Sequence, residues 1–272
     1  MTVPRFHVAA FLLFALLFSS SSHQACAQGH VDQATVEEPT EKTPEISTAE
    51  LRSVLREHRA IVIDTRPYKE YAMGHIPGAL DVAPRPGVPL ALYISDVDEV
   101  GRIVQDNVET PIVLYGDGPF SEQTRRLGDQ LVAEGYVNVR RYQLGISVWR
   151  ALGGTSQVEL AGIATVIERD RTALLVDARD SEEFKQKTVR GAMNLPRSRL
   201  TMEGRGHEIQ GGHDGDLPLT EDRNTRIIVF GDNEEQSSAV AEALAREDYT
   251  NVSFFAGSVE EIFIAAAADN KK

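Results

Sequence analysis

An internal repeat sharply limits the folds open to this chain. Asp64-Thr65-Arg66 matches Asp177-Ala178-Arg179, Gly78-Ala79 matches Gly191-Ala192, and Asn138-Val139 matches Asn251-Val252, all about 113 positions apart. A longer pattern recurs with them. PIVLYGDGPFSEQTRRL and IIVFGDNEEQSSAVAEAL each read as a buried strand, a glycine turn and a helix, with Tyr115-Gly116 matching Phe230-Gly231. The chain is therefore two copies of one α/β unit, joined near Gly153 to Gln157. Its 272 residues suffice for two such domains.

In the first copy, Ser47-Thr48-Ala49-Glu50 has the spacing of a helix capping box, followed by Leu51, Val54 and Leu55 on one helical face. Ala60 to Asp64 and Pro111 to Tyr115 are continuous apolar runs, as expected of strands buried on both faces. A helical stretch lies around Val97 to Gln105. Leu127, Leu131 and Val132 mark another helix, which stops at Gly135. Asn138 to Tyr142 reads as the last strand. Trp149, assigned to the core, sits in a closing helix ended by Gly153-Gly154. Strands alternating with helices imply a parallel sheet covered on both sides.

The first 27 residues read as a signal peptide. Arg5 is the positive flank, Val8 to Phe18 the apolar core, and Ala25-Cys26-Ala27 a small-x-small site cut after Ala27. An uncleaved membrane anchor and a lipoprotein cut before Cys26 are the rivals. Cleavage after Ala27 implies an exported protein, periplasmic or secreted, with no membrane attachment. Cys26 is the only cysteine, so the mature chain would hold neither disulfide nor thiol. Residues 28–45, polar and rich in glutamate, read as a linker or disordered lead-in. Order is expected from Ile46, with one domain over 46–154 and a second over 158–265. The formal net charge of −13 argues against nucleic acid and anionic membrane surfaces as partners.

Asp64-Thr65-Arg66, Tyr68, Tyr71 and Gly74-His75-Ile76-Pro77-Gly78-Ala79 in the first copy resemble, in order and spacing, the signatures of the rhodanese family. The second copy keeps Asp177, Arg179, Phe184, Gly191, Ala192 and Pro196 but has Thr188-Val189-Arg190 where the first has His75-Ile76-Pro77. The resemblance implies two α/β, rhodanese-like (thiosulfate sulfurtransferase-like) domains. Each would be a doubly wound, mostly parallel five-stranded sheet flanked by helices. In active members, a cysteine opens the turn after the fourth strand, and its thiolate carries sulfur in a cradle of backbone N–H groups at a helix start. Here that position is Gly116 in the first copy and Gly231 in the second. Similar tandem proteins would place another cysteine near Ser121.

The resemblance therefore implies a protein inactive in sulfur transfer, with no catalytic residue assigned, that works as a binding or regulatory module with an unidentified protein partner. The alternative is an anion-handling enzyme using a non-cysteine site at the first turn. Gly116, Asp117, Gly118, Phe120, Ser121 and Arg125 form its candidate anion loop. Asp117 and Glu122 oppose an anion there, and Asp232, Glu234 and Glu235 do so more strongly in the second turn. A small anion is thus expected to lodge weakly at 116–121 and hardly at all at 231–236. Ser121 has no histidine or lysine near it in sequence and reads as a helix cap. Gly116→Cys should fit if the turn keeps the family's geometry.

Asp64, Arg66, His75, Gly78, Asp177, Arg179 and Gly191 are assigned to the structural motif, each aspartate capping a turn and each arginine pairing with it. His75 reads as a loop histidine bonded to backbone, with a general base or metal ligand as its alternative. Gly116-Asp117-Gly118-Pro119-Phe120-Ser121 mimics a dinucleotide fingerprint. The following strand, however, ends Arg140-Arg141-Tyr142 where an acidic residue should hold a ribose, and Pro119 removes an N–H. His207, Glu208, His213, Asp214 and Asp216 could gather a metal but read more simply as a solvated loop. No metal or cofactor is assigned.

Overall fold

The computed structural model describes residues 31–37, 42–87, 89, 95–203, 206–209 and 221–269. The expected signal peptide, Cys26, and His213, Asp214 and Asp216 lie outside them. No helix among the described residues is long and apolar enough to cross a membrane.

The first domain runs α1 (Thr48–Glu57), β1 (Ile61–Asp64), α2 (Tyr68–Met73), β2 (Leu80–Asp81), α3 (Asp96–Val104), β3 (Ile112–Tyr115), α4 (Glu122–Ala133), β4 (Val139–Tyr142) and α5 (Gly145–Ala151). Its strands are parallel, in the order β2-β1-β3-β4. The capping box forms at one end of its spacing: Ser47 accepts from the Glu50 N–H. Strands β1, β3 and β4 are short and nearly wholly buried, so alternate residues serve opposite faces. Val62, Val113 and Tyr115 pack with Leu51, Val54 and Trp149 on one side. Ile63, Ile112 and Leu114 pack with Val100, Leu127 and Leu131 on the other.

The expected fifth strand of this sheet is reduced to one residue. Glu45 bridges Arg141 in parallel, with Ile46 N donating to Arg141 O and Arg141 N to Pro44 O, each at 2.9 Å. Pro44 has no N–H to extend the ladder, and Ser47 already caps α1. The expected lead-in is ordered over part of its length. Asp32 pairs with Arg52 at 3.1 Å, and the N–H groups of Val36 and Glu37 donate to Glu45 Oε2 at 2.8 and 3.1 Å. These polar residues are held by hydrogen bonds and an ion pair, which hydrophobicity does not report.

The second domain runs β5 (Ser156–Val158), α6 (Leu160–Arg169), β6 (Leu174–Asp177), α7 (Ser181–Gln186), β7 (Met193–Asn194), β8 (Leu200–Glu203), β9 (Gly206–Ile209), β10 (Ile227–Gly231), α8 (Glu234–Arg246), β11 (Val252–Ser258) and α9 (Val259–Asp269). Its sheet has five parallel strands in the order β5-β11-β10-β6-β7. The antiparallel hairpin β8-β9 stands apart from that sheet.

Strand β5 joins the two domains. One edge pairs with β11. Its Gln157 also exchanges two hydrogen bonds with His75 of the first domain, at 2.8 and 2.9 Å. Glu159 N donates to Ala72 O at 3.0 Å, and a Cβ at Gly162 would overlap that same carbonyl. Trp149, in the core as expected, donates from Nε1 to Thr155 O at 2.8 Å.

Candidate functional site

Strand β3 delivers the chain to Gly116, and Ser121 caps α4 by accepting from Thr124 N. The turn between them is tied down from several sides. Ser121 N donates to Gly118 O at 3.1 Å, and Gln143 Nε2 donates to Pro119 O at 2.7 Å. At the start of α5, Ile146 N and Ser147 N donate to the carbonyls of Gly116 and Asp117, at 3.0 and 3.4 Å. Gly145 permits this approach. It has φ +67°, and a Cβ there would collide with Gly118 N.

The space inside the turn is already taken. A Cβ at Gly116 would stand 2.5 Å from Thr124 Oγ1 and closer still to Ser121 Oγ. Three hydroxyls run in series: Ser121 to Thr124 at 2.8 Å, Thr124 to Thr65 at 2.7 Å, and Thr65 to the Tyr115 carbonyl at 3.0 Å. That carbonyl can only accept, so each hydroxyl donates to the next and the Ser121 proton is committed to Thr124. Gly116→Cys therefore does not simply fit, contrary to the sequence expectation. Ser121 and Thr124 must both give way, although Thr124 is buried and Ser121 holds the cap.

The candidate anion-loop residues do not converge. Gly116 is buried, Asp117 is exposed, and the Phe120 side chain is 92% exposed, facing solvent. Arg125 lines a shallow groove of about 420 Å³ along α4 with Glu122, Arg126 and Asp129, outside the turn.

Asp64 and Arg66 make a buried bidentate pair, Nε to Oδ1 at 2.9 Å and Nη2 to Oδ2 at 2.6 Å. Arg66 Nη2 also donates to Gly74 O at 2.8 Å. Burial works against the Arg66 charge, but the hydrogen bonds and charge of Asp64 outweigh it, so the guanidinium is held protonated more firmly than usual. Tyr115 links this pair to the next turn: its hydroxyl donates to Asp64 Oδ2 at 2.7 Å and accepts from Ile76 N at 3.0 Å. Burial, then the Asp64 charge, pushes the Tyr115 hydroxyl pKa well above the phenol range. Gly78, like Gly191 in the second domain, has left-handed φ, at +78° and +83°.

His75 is fully buried between the domains. Its ring stacks on Tyr71 at 3.8 Å, and Nδ1–H donates to Tyr71 O at 3.0 Å. Nε2 lies 3.8 Å from Glu159 Oε1. Burial outweighs the bond to Tyr71 and pushes the imidazole down to about 4, so it is neutral near pH 7.

The second domain repeats this plan with substitutions. Asp177 and Arg179 pair as in the first domain, at 3.0 and 2.7 Å, and Arg179 donates to Lys187 O. Phe230 stands where Tyr115 does, and the lost hydroxyl is replaced by Thr188, whose Oγ1 donates to Asp177 Oδ2 at 2.7 Å. At the turn, a Cβ on Gly231 would lie 2.5 Å from Gln236 Oε1. That amide oxygen accepts from Asp232 N at 2.8 Å, taking a donor that faces an anion in a phosphate- or sulfate-binding turn. Asn233 caps α8, accepting from Gln236 N at 3.0 Å.

Sequence reasoning missed Thr65, Thr124 and Gln236. Thr124 and Gln236 each stand three residues past an N-cap, Ser121 and Asn233, so capping-box spacing could have flagged them. Among the described residues, no three His, Cys, Asp or Glu side chains gather as metal ligands. Of the expected 207–216 cluster, only His207 and Glu208, on β9, are described.

The family model for the rhodanese-like domain matches residues 47–152 and 164–265. Among solved structures, a thiosulfate sulfurtransferase from Pseudomonas aeruginosa aligns at 16% identity and TM-score 0.35, covering 82% of this chain and 42% of that one. EanB in complex with hercynine aligns at 18% identity and TM-score 0.34, covering 82% of this chain and 61% of that one. A Rhodanese_3-like domain from Anabaena sp. is 28% identical, with TM-score 0.28, over 37% of this chain and 93% of that domain. This chain thus spans less than two thirds of the first two proteins. No curated protein matches it.

Proposed function

Given that this chain belongs to the rhodanese-like family, we propose that it is an exported tandem module that binds a protein partner and does not transfer sulfur through a cysteine persulfide. One observation carries this reading. The residues opening the two turns, where the family's nucleophile would stand, are Gly116 and Gly231, and the chain's own side chains fill the space a nucleophile would need. Ser121 and Thr124 do so in the first domain and Gln236 in the second. In the first turn the hydroxyls of Ser121, Thr124 and Thr65 satisfy one another in series, and in the second the Gln236 amide oxygen takes up the Asp232 N–H.

The first turn is the better contact surface. It presents Phe120 to solvent from a loop braced by Gln143 and by the start of α5. Bracing of the loop backbone lowers the entropy lost when Phe120 is buried against a partner, which suits it as an anchor. Asp117 beside it favours a partner with a basic rim around an apolar pocket. Export rests on the N-terminal sequence, with a mature chain starting at Gln28.

The experiment is site-specific photo-crosslinking in the native cell envelope, with the crosslinker at position 120 or, as a control, at the exposed Ile264. One discrete adduct from position 120, weakened by Asp117→Arg, is expected. Equal labelling from both positions, or none from 120, would remove the loop as the contact surface.

A further inference from the structure

The two domains differ at one equivalent strand position, Asp81, buried in the first, against Asn194, half-buried in the second. Asp81 pairs with Asp64 across β2 and β1, and Asn194 pairs with Asp177 across β7 and β6. Asn194 acts as a donor: its Nδ2 reaches Asp177 O at 3.1 Å and Arg179 O at 2.8 Å. The counterparts of those carbonyls in the first domain belong to Asp64 and Arg66. An ionised carboxylate there has no proton to give them. The Asp81 side chain is fully buried. Oδ1 accepts from Ala83 N at 3.2 Å, while Oδ2 has no hydrogen-bond partner among the described residues.

We propose that Asp81 is a proton-operated lock on the turn after β1. When neutral, its Oδ2–H donates to the Arg66 carbonyl, as Asn194 Nδ2 does to that of Arg179; when ionised, it releases that turn. The second domain, with asparagine, is locked at every pH.

The groups facing Asp81 are Arg85 from the loop after β2, Asp64 from β1, Asp96 from the start of α3 and Tyr71 from α2. Arg85 Nε is 3.8 Å from Oδ2 and mostly exposed, a weak counterion. Burial raises the Asp81 carboxyl to about 6; Ala83 N–H and Arg85 pull it down, and Asp64 and Asp96 push it up. A carboxyl raised in the fold above its ordinary 3.8 stabilises the protein in acid, and that stability is lost as pH rises through about 6. Arg66 Nη1 lies 3.7 Å from Asp117 Oδ1, so the lock also bears on the turn carrying Phe120. Only this last consequence rests on the binding reading.

The test is thermal unfolding of the full chain and its Asp81→Asn and Asn194→Asp variants from about pH 8 to about pH 5. His75 titrates over the same range with the opposite sign, so the readout is the difference between variant and parent. Asp81→Asn should melt about 3 °C above the parent at about pH 8, with the gap closing toward about pH 5. Asn194→Asp should melt about 3 °C below it at about pH 8 and recover in acid. The Asp81 side-chain carboxyl, followed by carbon NMR in the unmodified chain, should titrate near 6. An ordinary carboxyl titration, or an Asp81→Asn gap independent of pH, would overturn the lock. Neither result depends on crosslinking from position 120, so the lock and the binding module can fail separately.

Discussion

Gly116 and Gly231 leave room that their neighbours use. Gly116→Ala puts a Cβ against Thr124 and Ser121 and should cost about 1–3 kcal/mol in chemical denaturation, as small-to-large changes in packed sites do. Gly116→Cys should cost at least as much. Tyr115→Phe probes the neighbouring network: it leaves Asp64 Oδ2 and Ile76 N each one partner short, at about 1–3 kcal/mol. The second domain already carries Phe230 there and takes its hydroxyl from Thr188, so Thr188→Val should cost a similar amount. No loss from Tyr115→Phe would mean that the Asp64 network is slack.

At the scale of elements, β5 and α6 hold the domains together through His75, Ala72 and Gly162. The His75 pKa is depressed from 6.5 to about 4 by burial, so the unfolded chain binds the proton more readily. Its contribution is present above about 6.5 and is lost as pH falls toward about 4. His75→Gln should flatten that acid limb of the unfolding profile; an unchanged limb would place the titration elsewhere. The strands and helices here were legible because β1, β3 and β10 are unbroken apolar runs and because caps and glycines mark the helix ends. Glu45 was not legible as a strand remnant, since a single bridge leaves no alternation to read. Thr124 and Gln236 were visible as residues but not as fillers. Nothing in a sequence states that a glycine's missing side chain is replaced by a hydroxyl or amide one helical turn away.

Across the whole molecule, two copies of one fold have kept the same aspartate–arginine pair, the same left-handed glycines and the same glycine-opened turn. They have closed that turn by different means, three hydroxyls in one copy and one amide in the other. The repeat made the architecture readable from sequence, and the substitutions between copies identify which polar contacts each fold must satisfy. The most direct test is thiocyanate formation from thiosulfate and cyanide by the chain starting at Gln28. No thiocyanate above the protein-free rate is predicted. Sustained turnover by that cysteine-free chain would show that one of the two turns still performs sulfur chemistry.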